Sequence, residues 1–370
     1  MSATKPGCTD SSPGCGQSAG DTAVSQVADQ HGGDLSAHPG IQLDFSVNLN
    51  PLGMPDAVRA ALVAAAGSPP AYPDPYCRAL RQGLADYHGI PAERIVCGNG
   101  ASDLIYRLCD SLRPRRVLTL APTFSEYERC ARLCGAQVSR HRLDPRHDFD
   151  PDNSFPDRID SSVDLVVCCQ PNNPSGRLTD PAVVRHLLER TDQTGTILLV
   201  DECFLPFTHA PSLIAATGDH PQLVVLRALT KTHALAGVRL GYAVSGDPTL
   251  AGALAEQGPR WNVSGPAQAA GLAAVAVPGW DEATLRTVDR ERGWLSAQLR
   301  DLGLAVVESQ ANFLLFRATA GLFIPLCEHG ILIRSCANFA GLDDSYWRVG
   351  LRCHDDNARL VSILREVVHV

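Results

Sequence analysis

Short runs of apolar and β-branched residues alternate with amphipathic stretches over most of the chain. Five such runs lie at 94–97, 116–120, 163–169, 196–200 and 223–226. The first three are each followed by a helical pattern, which begins at Ser102, Ser125 and Asp180 respectively. Continuous apolar strands separated by helices predict a mainly parallel sheet covered by helices on both faces, because each parallel connection needs a crossover. The fold class is therefore predicted to be α/β.

The pattern changes after about residue 280. A long helix is predicted over 280–302, and a last helix follows short strands around Val306 and at 313–316, 332–334 and 347–351. This second part is typical of a smaller α+β domain. Residues 1–30, rich in Gly, Ser, Thr, Asp and Ala, carry too little apolar surface to order themselves. The predicted organisation is a disordered tail at 1–30, an N-terminal arm at 31–60, a large domain at 61–280 and a small C-terminal domain at 281–370.

Composition and charge narrow the function classes. The chain has 32 Lys and Arg against 40 Asp and Glu, a net charge of -8, and its basic residues are scattered, so no nucleic-acid partner is expected. It contains no apolar run near the ~18 residues that span a membrane, and no signal pattern, so we expect a cytoplasmic protein with no membrane partner. The 13 cysteines are expected to be reduced. No metal site is expected, because Cys130 and Cys134 lack a second Cys/His pair nearby.

Lys231 lies in a segment of small and polar residues that follows the predicted strand at 223–226. An amine at the carboxyl end of a sheet strand can form a Schiff base with an aldehyde cofactor, and Arg239 can curl back to a phosphate as a bidentate partner. On its own, a lysine near an arginine is more often surface charge. The interpretation therefore depends on the neighbouring strand ends.

Asp201 closes the apolar strand at 196–200 and places a carboxylate at the same edge, where a pyridine-containing cofactor needs an anion against its ring nitrogen. Asn173 lies in the turn after the strand at 163–169 and could donate to the cofactor's phenolic oxygen. Ala101 and Ser102 follow a Gly-Asn-Gly turn at a helix start, which leaves backbone N–H groups for a phosphate. Phe124 follows the next strand and could stack on a pyridine ring, although such a residue is more often part of the core.

Taken together, these segments resemble the fold-type I enzymes that depend on pyridoxal phosphate (PLP), the aspartate aminotransferase superfamily, over about residues 31–365. The resemblance is to the branch that contains histidinol-phosphate aminotransferases and threonine-phosphate decarboxylases. The matching segments are 44–53 (Asp-Phe-Ser-Val-Asn-Leu-Asn-Pro-Leu-Gly), 72–74 (Tyr-Pro-Asp), the Asn99 loop, 122–124 (Pro-Thr-Phe), 173–176 (Asn-Pro-Ser-Gly), Asp201-Glu202 and the Lys231 segment.

This resemblance implies a large domain with a mainly parallel seven-stranded sheet, flanked by helices, and PLP bound to Lys231. It also implies a homodimer with shared active sites. The implied cofactor ligands are Ala101, Ser102, Phe124, Asn173, Asp201, Thr230, Arg239 and, across the dimer interface, Tyr72. The implied substrate ligands are His31, Asn50, Arg334 and Arg348, with Arg348 on the substrate carboxylate and Arg334 and His31 near a substrate phosphate.

Within the branch, the stretches 31–33, 50–53, 123–127 and 331–338 are more similar to the decarboxylases. Phe204 stands where aminotransferases usually have a tyrosine, which also favours decarboxylation, and Ala228 replaces a serine of the phosphate site. The resemblance therefore implies decarboxylation of O-phospho-L-threonine, or a similar phosphorylated hydroxy-amino acid, to an amino-alcohol phosphate in cobalamin biosynthesis. The alternatives are an aminotransferase acting on histidinol phosphate or another amino acid and, less favoured, an idle PLP-binding relative.

Overall fold

The computed structural model describes residues 31–67 and 71–368, so the tail predicted at 1–30 lies outside the described residues. The N-terminal arm contains one short strand, β1 (Leu43–Asp44). A seven-stranded sheet follows it. Its strands are β2 (Ile95–Gly98), β3 (Arg116–Ala121), β4 (Gln137–Arg142), β5 (Leu165–Cys169), β6 (Ile197–Asp201), β7 (Leu223–Ala228) and β8 (Gly241–Ser245).

The order across this sheet is β2-β8-β7-β6-β5-β3-β4. Six strands are mutually parallel, and only β8 runs against its neighbours β2 and β7. The predicted mainly parallel sheet is thereby confirmed. Because parallel strands all end at the same edge, the residues that follow β2, β3, β5, β6 and β7 come together there.

Helices cover both faces of the sheet. The helices that accompany it are α1 (Asp56–Ala66), α2 (Arg78–His88), α3 (Ala101–Leu112), α4 (Ser125–Leu133), α5 (Pro181–Thr194), α6 (Leu229–Thr232), α7 (Pro248–Glu256) and α8 (Gly265–Val275). Within β5, Val166 and Cys168 pack into one hydrophobic cluster, whereas Leu165 and Val167 pack into another. A strand buried on both faces has to be apolar throughout, which explains the continuous apolar runs in the sequence.

The C-terminal part of the chain forms a smaller α+β unit. Its elements are α9 (Trp280–Asp301), β9 (Ala305–Val306), β10 (Phe313–Arg317), α10 (Phe323–Glu328), β11 (Ile331–Leu332), β12 (Arg334–Ser335), β13 (Tyr346–Gly350) and α11 (His354–Val367). Four of the strands form an antiparallel sheet in the order β12-β13-β10-β9. The fifth, β11, pairs in parallel with β1 of the N-terminal arm, so residues from both ends of the described chain meet.

The five strands predicted in the large sheet occur within two residues of their expected limits, but β4 and β8 carried no apolar signal. The edge strand β4 pairs only with β3, and its residues are mostly polar and exposed. The inner strand β8 is buried, but its apolar run is only Tyr-Ala-Val, between a glycine and a serine. In the part of the chain that the structure describes, no helix combines the length and apolar character needed to cross a membrane.

Candidate active site

A cavity of about 1110 Å³ lies at the carboxyl edge of the large sheet, between that edge, the N-terminal arm and the small antiparallel sheet. Eleven of the thirteen residues predicted for the site line it. They are His31, Ala101, Ser102, Phe124, Asn173, Asp201, Thr230, Lys231, Arg239, Arg334 and Arg348. The other two, Asn50 and Tyr72, do not line it.

Lys231 lies in the four-residue helix α6, directly after β7, and its half-buried side chain lines the cavity. Burial, together with the positive charges of Arg348 and Arg239, lowers the pKa of the amine to about 8. The only other lysine in the 370-residue chain is Lys5, which lies outside the described residues. Lys231 is thus a cavity amine that is partly neutral, and so nucleophilic, near physiological pH.

Asp201 is the last residue of β6, and its carboxylate is buried and held from two sides. One oxygen, Oδ2, accepts a hydrogen bond of 2.7 Å from the Tyr127 hydroxyl, and the other, Oδ1, accepts one of 2.9 Å from the Cys203 backbone N–H. Burial and the charge of Asp201 raise the pKa of Tyr127 well above its usual value, so the hydroxyl remains a donor. The result is a fixed anion on the cavity wall.

The start of α3 and the Arg239 side chain form a cradle suited to a phosphate. Gly100 precedes the helix with a φ of 85°, and a Cβ placed there would lie 2.6 Å from Arg239 Nη2. Only glycine therefore lets the guanidinium approach the helix N-terminus this closely. Backbone N–H groups, the Ser102 hydroxyl and a guanidinium are the donors that bind phosphate in proteins, so this cradle fits the phosphate of PLP.

Arg348, on β13, is buried in the opposite wall. It donates to Asn173 Oδ1 and, at 2.9 Å, to the carbonyl oxygen of Ser46 in the N-terminal arm. Its Nε is buried and has no hydrogen-bond partner within residues 31–67 and 71–368. Burial lowers the pKa of this guanidinium to about 10, which leaves it charged at neutral pH. A buried cation with an unused donor fits an anionic ligand.

Arg334, on β12, is the direct cross-strand neighbour of Arg348. Its Nη2 donates to Asn338 Oδ1 at 2.9 Å, and its guanidinium carbon lies 5.5 Å from the centre of the Phe339 ring. Like charges at directly opposed positions of an antiparallel pair destabilise a sheet, so an anion between the two guanidinium groups would relieve a local repulsion.

His31 lies on the same cavity, in the N-terminal arm. Its Nε2 is 3.2 Å from Glu126 Oε1, and its ring centre is 5.8 Å from that of Phe124. His31 and Phe124 therefore contribute to one corner of the cavity, with a carboxylate of α4 beside them.

The two predicted residues that lie elsewhere have different surroundings. Tyr72 is 83% exposed, and its ring centre lies 5.0 Å from that of Trp261. Asn50 is buried, and its side-chain amide bonds Thr232 and Thr284 instead of facing the cavity. Its place in the structure is that of an internal link, not of a group open to a ligand.

Asn48 and Tyr127 are site residues that sequence reasoning missed. Asn48 lines the cavity from the same arm, is buried, and has an Oδ1 without a hydrogen-bond partner in the described parts of the chain. The sequence did offer one signal, because Ser46, Asn48 and Asn50 are polar residues at alternate positions of an extended segment. That spacing does not tell which of the two asparagines faces the cavity.

Comparison with known proteins places these features in context. The profile of the family described as Aminotransferase class I and II matches residues 40–364. The threonine-phosphate decarboxylase of Salmonella typhimurium is 35% identical over 350 residues, which cover 91% of this chain and 96% of that protein. A histidinol-phosphate aminotransferase of Symbiobacterium thermophilum is 34% identical over 339 residues, covering 90% of this chain and 91% of that protein.

A solved structure gives the same result for the fold. The crystal structure of the histidinol-phosphate aminotransferase from Clostridium acetobutylicum superposes with a TM-score of 0.83 at 30% identity, covering 88% of this chain and 99% of that one. The similarity therefore extends over nearly the full length of both proteins, including the strand ends and the small sheet that form the cavity.

Proposed function

Because the chain belongs to the class I and II aminotransferase family, whose members depend on PLP, we propose that it is a lyase that decarboxylates O-phospho-L-threonine or a similar phosphorylated hydroxy-amino acid. The product would be an amino-alcohol phosphate for cobalamin biosynthesis. The observation that carries the proposal is the pair formed by Arg334 and Arg348, cross-strand neighbours that both line the cavity. Such a pair suits a substrate with two anionic groups, a carboxylate and a phosphate.

The residues around the cavity fit PLP as a group. Lys231 would hold its aldehyde carbon, Asp201 its ring nitrogen, and Asn173 its phenolic oxygen. Because Asn173 Oδ1 accepts from Arg348, its amide NH₂ is the group that remains to donate. Ala101, Ser102, Thr230 and Arg239 would hold the phosphate, and Phe124 would pack on the ring. When bound, PLP withdraws into its ring the electron pair left on the α-carbon when a bond to that carbon breaks.

The residues of this chain then perform the remaining tasks. Arg348 would bind the substrate carboxylate with its unused Nε, while Arg334 and His31 would bind the phosphate. The bond between the α-carbon and the carboxyl carbon breaks, carbon dioxide leaves, and the α-carbon needs one proton. Lys231 would deliver it, because an amine with a pKa of about 8 is mostly protonated at neutral pH.

The presence of a phenylalanine at position 204 favours decarboxylation over transamination. Phe204 is buried, its ring lies 5.0 Å from that of Phe313, and the Lys231 amine is 5.8 Å from its centre. A phenylalanine cannot donate to the phenolic oxygen, as the tyrosine usual in aminotransferases would. In an aminotransferase acting on histidinol phosphate, the alternative function, Lys231 would instead remove the α-proton.

The deciding experiment offers the PLP-loaded protein two substrates. O-phospho-L-threonine should release carbon dioxide in amounts equal to the amino-alcohol phosphate formed, with no 2-oxo acid required. Histidinol phosphate with 2-oxoglutarate should yield no glutamate. Glutamate formation without release of carbon dioxide would establish the aminotransferase instead. No reaction with either pair would contradict both assignments and direct the test to other amino acids, none of which an idle PLP-binding protein would convert.

A second experiment tests the role of Arg334. Arg334→Ala should reduce kcat/KM for O-phospho-L-threonine by about 100-fold, and far less for unphosphorylated L-threonine. Only the phosphorylated substrate loses a charge-assisted contact, the one between its phosphate and Arg334. Arg317→Ala is the matched control, since Arg317 lies exposed at the end of β10, which β13 separates from β12. Equal losses on the two substrates would contradict this role.

We also infer that the chain acts as a cytoplasmic homodimer in which Tyr72 reaches the cofactor phosphate of the second subunit. The supporting observation is that Tyr72 is exposed and lies away from the cavity of its own chain. Sedimentation should give a dimer, and Tyr72→Phe should speed the loss of PLP without changing the sedimentation coefficient. A monomer that turns over at the full rate would contradict this inference.

A further inference from the structure

The turn that carries Lys231 is held from outside by two other parts of the chain. Helix α6 is only four residues long, and the last carbonyl groups of a helix have no partner within it. The Lys231 carbonyl accepts a hydrogen bond of 3.0 Å from the Asn50 backbone N–H. The Thr232 carbonyl accepts one of 2.7 Å from Asn50 Nδ2 and one of 2.9 Å from Trp280 Nε1.

Asn50 uses its whole side chain for such contacts. Besides the bond to Thr232, its Nδ2 donates to Thr284 Oγ1 at 2.8 Å, and its Oδ1 accepts from the Leu52 backbone N–H at 3.0 Å. Both amide protons and the amide oxygen are thereby engaged in a site that solvent does not reach. The side chain has no donor left for a substrate, so its place indicates a different role.

We propose that Asn50 is a positioning residue for Lys231. Its hydrogen bonds to the Lys231 carbonyl, the Thr232 carbonyl and Thr284 join the N-terminal arm, α6 and the first turns of α9 in one junction. A lysine on a four-residue helix cannot be fixed by that helix alone. The junction fixes the backbone from which the reactive amine projects. Because the same arm carries Ser46 and Asn48 on the cavity wall, it also sets the distance between the lysine and the substrate side.

This proposal rests on covalent attachment of PLP to Lys231 and not on the reaction that the bound cofactor supports. It can therefore be tested without substrate. In PLP-loaded Asn50→Ala, the carbonyl of Thr232, directly after the lysine, loses its Nδ2 donor, while the backbone bond to the Lys231 carbonyl remains. The turn is then less firmly held and the amine gains access to water, which favours the cationic form of the nitrogen that links lysine and cofactor. The midpoint of the pH titration of the cofactor absorption band should rise, and PLP should dissociate faster.

With substrate, the same variant should show a change in kcat more than in KM. We expect kcat to fall by about 10-fold to 100-fold, the effect of a small displacement of a reacting group, while KM changes little. If Asn50 were a substrate ligand, KM would rise and the substrate-free titration would stay as in the parent protein. That result would overturn the proposal, as would an unchanged titration together with an unchanged kcat.

Asn312→Ala is the matched control. Asn312 is a buried asparagine whose Nδ2 donates at 3.1 Å to the carbonyl of Leu49, one residue before Asn50, but it makes no hydrogen bond to α6. The Asn312→Ala substitution should lower the melting temperature with no shift of the titration midpoint. A midpoint shift equal to that of Asn50→Ala would assign the effect to the arm as a whole and overturn the proposal.

Trp280→Phe keeps the test decisive if Asn50→Ala fails to fold. The substitution removes the Nε1 donor on the Thr232 carbonyl together with one ring of the indole, and keeps an aromatic ring near His233, on which Trp280 stacks at 5.7 Å. The midpoint should move in the same direction by a smaller amount. A folded Trp280→Phe protein with the parent midpoint and the parent rate of PLP loss would count against the junction.

Discussion

The cavity has two walls of different construction. The sheet wall consists of residues placed at the ends of the large-sheet strands and in the loops beside them, namely Ser102, Asp201, Lys231 and Arg239. The arm wall joins the N-terminal arm to the small sheet and consists of His31, Ser46, Asn48, Arg334 and Arg348. The first follows from one rule of topology, because parallel strands end at one edge. The second depends on contacts such as the bond from Arg348 to the Ser46 carbonyl, which spans 302 positions.

The two walls also differ in charge and in how their polar groups are satisfied. On the sheet wall, Asp201 accepts two hydrogen bonds, so the carboxylate is fixed before any ligand arrives. On the arm wall, Asn48 Oδ1 and Arg348 Nε are buried and have no partner in the described residues. Buried polar atoms without a partner are costly, and a ligand that supplies one recovers that cost. The sheet wall is thus preorganised before any ligand binds, which supports its proposed role in holding the cofactor, and the proposed substrate would supply the partners that the arm wall lacks.

The largest effect is expected from a substitution that removes the reactive group of the sheet wall. Lys231→Ala should lower turnover by at least about 10,000-fold, because covalent attachment and proton transfer are both lost. Reduction of the PLP-loaded protein with borohydride, followed by peptide mass spectrometry, should show the cofactor on Lys231. Since Lys5 is the only other lysine, Lys5→Ala is the control and should retain the label and the activity. A label on Lys5 would contradict the assignment.

On the arm wall, Arg348→Met should lower kcat/KM by about 100-fold to 1,000-fold, because a buried charged donor is lost from the substrate carboxylate. The loss should appear mainly in KM, while the cofactor stays bound. Arg317→Met, on the exposed end of β10, serves as control and should behave as the parent protein. If Arg348→Met instead lost PLP, the separation of the two walls into cofactor and substrate sides would be wrong.

A smaller effect is expected from a substitution that weakens the hydrogen bonding of Asp201 on the sheet wall. Tyr127→Phe removes one of the two donors on Asp201, and the loss of a hydrogen bond to a charged group should lower kcat by about 10-fold. The absorption spectrum of the bound cofactor should shift as well, because the carboxylate against the ring nitrogen is less firmly held. Tyr87→Phe is the control, because the Tyr87 hydroxyl donates to Asp281, which does not line the cavity. Equal losses in both variants would indicate a general effect on folding.

The same contrast explains how far the fold could be predicted from the sequence. Five strands that are buried on both faces were predicted within two residues, because their apolar runs are continuous, whereas the buried strand β8, with an apolar run of only Tyr-Ala-Val, was missed. The edge strand β4 was missed, since its side chains are exposed and polar, and the strand predicted at 332–334 is divided in the structure between β11 and β12. The two-residue strand β1, too short for any pattern, was also missed, and it pairs with β11. Their pairing, which brings the N-terminal arm to the small sheet, follows from tertiary contacts alone.

The candidate site divides in the same way. Asp201 and Lys231 were predicted from their positions at the carboxyl ends of apolar strands, whereas Arg334, Arg348 and His31 were implied only by family resemblance. Asn50 was assigned to the substrate and Asn48 was not considered, because the two asparagines share one alternating polar pattern and the sequence does not show that a turn begins at Asn50. The Gly53 backbone N–H donates to the Asn50 carbonyl at 2.9 Å in that turn. A turn of this kind changes which side chains face the cavity without changing the sequence spacing.

The smallest expected effect tests whether the two walls are electrostatically independent. Attachment of PLP to the apoprotein needs the neutral amine of Lys231, whose pKa is lowered from 10.5 to about 8. The rate constant for attachment, followed by the cofactor absorbance, should therefore rise with pH, with a midpoint near 8, and level off at higher pH instead of rising as far as 10.5. Burial is the larger cause of this shift, and the charge of Arg348 comes second. Arg348→Met should consequently move the midpoint upward only part of the way towards 10.5, and Arg317→Met should not move it. An unchanged midpoint in Arg348→Met would mean that the arm wall does not tune the lysine, and that the two walls act separately until the substrate joins them.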